Sequence, residues 1–126
     1  MSEEFLNLLR KFSAPISSCA SVTVCSQAGN PINTRNYYIV TFYPVEITKV
    51  ADERSRYELW EPQTVVRIDE FVIREDFSEH FVKIAHSARC PSICSKDFYL
   101  AAVEMGVKGV DFVPIKEFRW MEALPI

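Results

Sequence analysis

Glycine is scarce, with three in 126 residues. That excludes a glycine-rich phosphate cradle: neither G-x-G-x-x-G nor a Walker pattern can be written on this chain. Histidine is scarcer still, with two residues, which leaves few ways to pair a Ser or Cys nucleophile with an imidazole base. No excess of positive charge exists: 14 Lys and Arg stand against 17 Asp and Glu, for a net charge of −3. Surfaces that hold nucleic-acid phosphates cluster their basic residues, so direct nucleic-acid binding is not expected. A long apolar run is missing too. The longest uncharged stretch, Phe12 to Thr34, is rich in Ser, Thr, Asn, Gln, Pro and Gly, each of which raises the cost of membrane insertion, so no membrane span is expected. What remains is globular composition, with 48% hydrophobic and 25% charged residues. Nine Phe, five Tyr and two Trp supply the bulk for a core, and the length fits one domain over residues 1–126.

The four cysteines (Cys19, Cys25, Cys90, Cys94) fall at C-x5-C and C-x3-C spacings. Neither is a C-x-x-C redox motif or a zinc-knuckle pattern. Ile16-Ser17-Ser18-Cys19 imitates a lipidation box. The segment before it, however, opens with Glu3 and Glu4 and is cut by Arg10-Lys11, leaving too short an apolar stretch for a signal peptide. A cytoplasmic location and reduced thiols follow as the expectation. His80, His86, Cys90 and Cys94 are all zinc-capable and lie close in sequence. His80 and His86 flank Phe81 to Ala85, which reads as a strand, so their even separation sets them on one face rather than on the tight turns of a structural zinc site. Ordinary surface histidines and small thiols are expected, with no metal and no cofactor.

Along the chain, Phe5, Leu8, Leu9 and Phe12 recur at helical spacing, with Ser2 as cap, Glu3 and Glu4 in the first turn, Arg10 and Lys11 in the last, and Pro15 beyond. Ala20 to Ser26 alternates as a short strand, and Gln27 to Asn36 reads as a loop. Tyr37 to Val50 is the most β-prone stretch, broken at Pro44. Ala51 to Arg56 is a charged turn, and Tyr57 to Trp60 a further strand. Thr64 to Ile73 reads as strand, turn, strand with Asp69-Glu70 at the turn. Cys90 to Cys94 is extended. Ser95 then opens a helix over Lys96–Met105 stopped by Gly106, with Phe98, Ala102 and Met105 on one buried stripe that Leu100 and Val103 widen. Val110 to Ile115 alternates as the last clear strand, ended at Pro114, and an amphipathic tail follows. The fold class is α+β: a mostly antiparallel sheet with a short helix near the N-terminus and another before the last strand.

No pattern marks a catalytic site: G-x-S-x-G, H-E-x-x-H and papain-type cysteine signatures are absent, and no enzymatic activity is expected. Ser95 sits where a nucleophile on a helix N-terminus would sit, but a helix cap needs the same position. Adjacent acids recur at Asp52-Glu53, Asp69-Glu70 and Glu75-Asp76, the usual composition of solvated turns.

One resemblance adds a role. Phe81-Val82-Lys83-Ile84, then Ile93-Cys94-Ser95-Lys96-Asp97-Phe98, then Gly106-Val107-Lys108-Gly109-Val110-Asp111-Phe112-Val113-Pro114 form an ordered series. It resembles the short bacterial immunity proteins of polymorphic toxin systems, built as strand, serine-capped helix, glycine, and strand ending in F-x-P. Tyr37-Tyr38-Ile39-Val40 and the segment Asp52-Glu53-Arg54-Ser55-Arg56-Tyr57 fit the same pattern, so the resemblance covers Tyr37 to Ile115. It implies no catalytic residues. It implies binding and neutralising a cognate toxin domain inside the producing cell, as in contact-dependent growth inhibition, with basic nucleases one class of partner. The alternative is an intracellular adaptor or regulatory domain with a different protein partner. The most concentrated acidity, Asp69, Glu70, Glu75, Asp76 and Glu79 against Arg74 alone, is the candidate partner-binding strip.

Overall fold

The computed structural model describes residues 1–23, 25–30, 36–60, 64–86 and 92–121. In chain order these form α1 (Glu3–Lys11), β1 (Ile16–Val22), β2 (Tyr37–Phe42), α2 (Ile47–Val50), β3 (Arg56–Trp60), β4 (Thr64–Glu70), β5 (Phe81–Val82), β6 (Ile93–Cys94), α3 (Lys96–Met105), a 3-10 turn (Ile115–Glu117) and β7 (Trp120–Met121). Among the described residues the named strands pair antiparallel, β1 with β2, β4 between β3 and β7, and β5 with β6, and an isolated parallel bridge joins Val45 to Ile84. The fold is α+β, with α1 near the N-terminus and α3 ahead of β7.

Both long helices start on a serine. Ser2 Oγ accepts the Phe5 amide at 3.3 Å, and Ser95 Oγ accepts the Phe98 amide at 3.1 Å, each satisfying an amide that the helix leaves unpaired. Gly106 closes α3 with φ +68°, a left-handed cap that costs glycine no Cβ clash. α1 buries Phe5, Leu6, Leu8 and Leu9, so Leu6 joins the apolar face that the periodicity marked.

Two apolar clusters make the core, and β5 divides them. Phe81 turns into a cluster with Phe5, Leu8, Leu9, Phe98 and Ala102, while its neighbour Val82 turns into one with Ile47, Val50, Val65, Ile68, Phe71 and Ile84. Successive strand residues face opposite sides, so two adjacent side chains tie both halves of the core together. The first cluster is aromatic at its centre: the Phe81 ring lies 5.3 Å from Phe98 and 5.2 Å from Phe42, and Phe12 lies 5.4 Å from Phe98.

Five expectations are corrected. The first strand is Ile16–Val22 rather than Ala20 to Ser26. Ile47–Val50, expected in a strand, forms one helical turn that buries Ile47 and Val50; core packing overrides the β preference of branched residues. β4 runs unbroken through Asp69 to Glu70 and pairs Glu70 with Arg56, so these acids end a strand instead of making a turn. Val110 to Ile115 is no strand: the chain there is irregular until the 3-10 turn at Ile115. Finally, α3 buries only Phe98 and Ala102, while Leu100, Val103 and Met105 are 50%, 59% and 43% exposed. Cys90, one end of the expected extended segment, lies outside the described residues, and so does most of the expected loop after Asn30.

Candidate functional site

The acidic strip does not stay together. Asp69 and Glu70 project from the end of β4, each answered by an arginine: Arg67 Nε donates to Asp69 Oδ1 at 2.8 Å, and Arg56 Nε lies 3.3 Å from Glu70 Oε2. Asp76 is held by both branches of the Arg74 guanidinium, Nε to Oδ1 and an NH2 nitrogen to Oδ2, each at 3.0 Å. That bidentate fork gives the pair a fixed geometry. Glu79 is exposed in the segment before β5 and takes no part in the cluster described next.

What the fold does assemble is a pair of turns. Ala51 bridges Ile73, the Asp52 amide donates to Val72 O at 2.7 Å, and the Arg74 amide donates to Val50 O at 2.9 Å. Ser55 completes the staple: its hydroxyl donates to Val72 O at 3.0 Å and accepts the Val72 amide at 2.8 Å. These bonds set the Ala51 to Arg56 turn beside the Arg74 to Asp76 turn and leave between them an open depression of about 350 Å³, lined by Ala51, Asp52, Glu53, Arg74, Glu75 and Asp76. Asp52 and Glu53, whose composition is that of a solvated turn, thus join Glu75 and Asp76. The signal was present in the repeated acid pairs; their meeting depends on a bridge no local pattern reveals.

The charges here fall into two kinds. Asp52 and Asp76 are pinned. The Arg54 side chain donates to Asp52 Oδ1 at 2.9 Å and the Arg54 amide does the same at 2.9 Å, holding the Asp52 carboxyl below its ordinary range, with the guanidinium bond the larger cause. Arg74 does the same for Asp76. Glu53 and Glu75 are exposed and, among the described residues, form no salt bridge. The depression therefore presents two free carboxylates on a rim stiffened by two internal ion pairs. Such a surface can receive ammonium or guanidinium groups.

The histidines go elsewhere. His80 Nδ1 is 2.7 Å from Ser95 Oγ, and His86 Nε2 is 2.9 Å from Glu46 Oε1. His86 has φ +59° and the strand between the two is only Phe81–Val82, so the even separation does not put them on one face. Among the described residues no three His, Cys, Asp or Glu side chains converge as a metal set. Cys19 and Cys25 are exposed free thiols, and Cys94 is a half-buried one whose pKa burial pushes up. No helix among the described residues is long and apolar enough to cross a membrane.

No family model matches the chain, and no curated protein or solved structure matches it.

Proposed function

We propose that the chain is a non-enzymatic immunity protein that binds and neutralises a cognate toxin domain in the cytoplasm of the producing bacterium, and that the toxin presents a basic surface. The observation that carries the reading is the depression between the two stapled turns, where Glu53 and Glu75, which form no salt bridge among the described residues, stand beside the pinned Asp52 and Asp76. Free carboxylates on a fixed frame steer a basic partner and cost little reorganisation when it docks. The partner-binding group is accordingly Glu75 and Asp76 with Asp52 and Glu53, while Asp69 and Glu70, each paired with an arginine on the β3–β4 ladder, stay outside it. Of the ordered series, the strand at Phe81–Val82, the Ser95-capped helix and the Gly106 stop support the same role, while the segment ending in Phe112-Val113-Pro114 is irregular and does not.

The test is co-expression with the C-terminal domain of the toxin encoded by the adjacent open reading frame. A stable complex and protection from growth arrest are expected. A well-folded protein that neither protects nor co-purifies sinks the reading, and a stable complex with some other protein in its place favours the adaptor class.

A further inference from the structure

Helix α3 carries apolar side chains on two sides. Phe98 and Ala102 fill the core, yet Tyr99, Leu100 and Val103 are 40%, 50% and 59% exposed. At about 100° per residue these three fall within an arc of roughly 100° on the side away from Phe98. The face continues off the helix. Tyr99, Ala102 and Val103 form one wall of a groove of about 270 Å³ whose other wall is Val107, Val110, Asp111 and Phe112. The Tyr99 and Phe112 rings meet edge-on at 5.1 Å, which fixes the groove's shape. That volume is below what small-molecule sites enclose and suits an anchoring side chain. Apolar surface rimmed by polar residues is the kind that marks interaction sites.

Charge indicates what covers it. Asp97 and Glu104 stand three residues before and four after Leu100, hence beside it on the helix surface, and Asp111 lies on the groove's opposite wall. All three are exposed, and none forms a salt bridge among the described residues. The apolar strip is thus bordered by carboxylates on both flanks, with Lys96 at one end and Lys108 on the loop between Val107 and Val110, so that acids outnumber bases three to two around it. A second copy of the chain would bring the same three acids against their own counterparts, and like charges across an interface are costly. We infer that the outer face of α3 and its groove dock a cationic amphipathic segment of a partner protein, an apolar anchor entering beside Tyr99 and Val103 and flanking Lys or Arg side chains meeting Asp97, Glu104 and Asp111. This surface is separate from the Asp52–Asp76 depression and does not depend on the toxin reading.

The experiment uses the full chain and two fluorescein-labelled peptides of equal length, one with Leu and Lys at helical spacing and one with Leu and Glu. Anisotropy titration should show the Leu/Lys peptide binding at least about tenfold more tightly. Val103→Glu adds a negative charge, which by charge alone strengthens binding of a cationic peptide. A loss of about tenfold with an unchanged melting temperature therefore reports the apolar contact. Asp111→Lys should also weaken binding, whereas the Glu53→Lys/Glu75→Lys double variant should stay within about twofold of wild type. Equal binding of the two peptides, or retention by Val103→Glu, overturns the inference. So does a dimer in light scattering that Val103→Glu dissolves, since the face then belongs to a second copy.

Discussion

His80 Nδ1 lies 2.7 Å from Ser95 Oγ, the same oxygen that accepts the Phe98 amide at the start of α3. The Ser95 amide in turn donates to His80 O at 2.9 Å. One residue thus caps the helix and ties it to the chain entering β5, with the hydroxyl donating to the ring when the imidazole proton sits on Nε2. Ser95→Ala should cost about 1–2 kcal/mol, lowering the melting temperature by several degrees for a domain of this size. Ser95→Asp, which keeps a capping acceptor, should recover most of it. An unchanged melting temperature for Ser95→Ala would show that the cap contributes nothing.

Phe98 and Leu100 sit two positions apart on α3 and should respond in opposite ways. Phe98 is fully buried against Phe5, Phe12 and Phe81, so Phe98→Ala should cost about 3–5 kcal/mol. Leu100 is half exposed, so Leu100→Ala should stay within about 0.5 kcal/mol of wild type. Chemical denaturation of both variants checks this. A loss above about 2 kcal/mol at Leu100 would mean that α3 packs into the protein's own core through the Leu100 face.

These two residues also mark how far the sequence could be read. α3 is legible to the residue and α1 to within one residue at each end, because caps, charged turns and the terminal glycine act locally: Ser2, Ser95 and Gly106 each sit where the structure uses them. Leu100 was not legible. A helix with apolar residues on both sides gives periodicity no single core direction, and only tertiary contacts say which side is covered. Ile47–Val50 failed for a related reason, since burial of Ile47 and Val50 decides for a helical turn against local β preference. The acidic site was legible in composition and not in assembly. Glu75 and Asp76 stand out in the local charge pattern, but the Ala51–Ile73 bridge that brings Asp52 and Glu53 to them joins residues more than twenty positions apart.

The Arg74–Asp76 fork has a defined pH signature. The guanidinium bond holds the Asp76 carboxyl below its ordinary 3.8. The folded state therefore favours the charged form, and the contribution is complete above 3.8 and fades as pH falls through the lower folded value. Arg74→Met should bring the Asp76 titration up to its ordinary range, followed by carboxyl-carbon NMR shifts. Asp52, whose main partner is Arg54 and for which Arg74 is the smallest influence, should move upward only slightly. Equal movement of both, or none at Asp76, contradicts the ion-pair assignment.

The thiols should separate by burial. Cys94 is half buried and its thiol is pushed above its ordinary 9.0 by desolvation, which lowers the thiolate fraction that reacts. Cys19 and Cys25 are exposed. With limiting iodoacetamide at pH 8, peptide mass analysis should find Cys19 and Cys25 alkylated well before Cys94. Because these three thiols are free, thermal unfolding should shift by less than about 5 °C with either reductant or chelator, a span of roughly 1 kcal/mol. A larger shift would reveal a stabilising bridge or metal.

If the depression receives a basic toxin, the free acids inside it should differ in association kinetics from an ion-paired acid outside it. Glu53 and Glu75 line the depression and have no internal partner among the described residues, whereas Asp69 lies at the end of β4 with Arg67 Nε at 2.8 Å. Reversal to Lys changes the charge by the same two units at each site, so position decides: a change outside the contact region acts less on steering than one inside it. Glu53→Lys and Glu75→Lys should therefore each slow association with the toxin domain, while Asp69→Lys should leave it close to wild type. All three sites are exposed or nearly so, so stability should change by less than about 0.5 kcal/mol. The wild-type rate should fall steeply as salt rises, because the Debye length shrinks to about 8 Å at physiological ionic strength. The flatter salt dependence of Glu75→Lys then isolates the depression's share of the steering. Equal slowing by all three reversals would place the effect in net charge alone, and a wild-type rate for Glu53→Lys and Glu75→Lys at low salt would remove the depression from the interface.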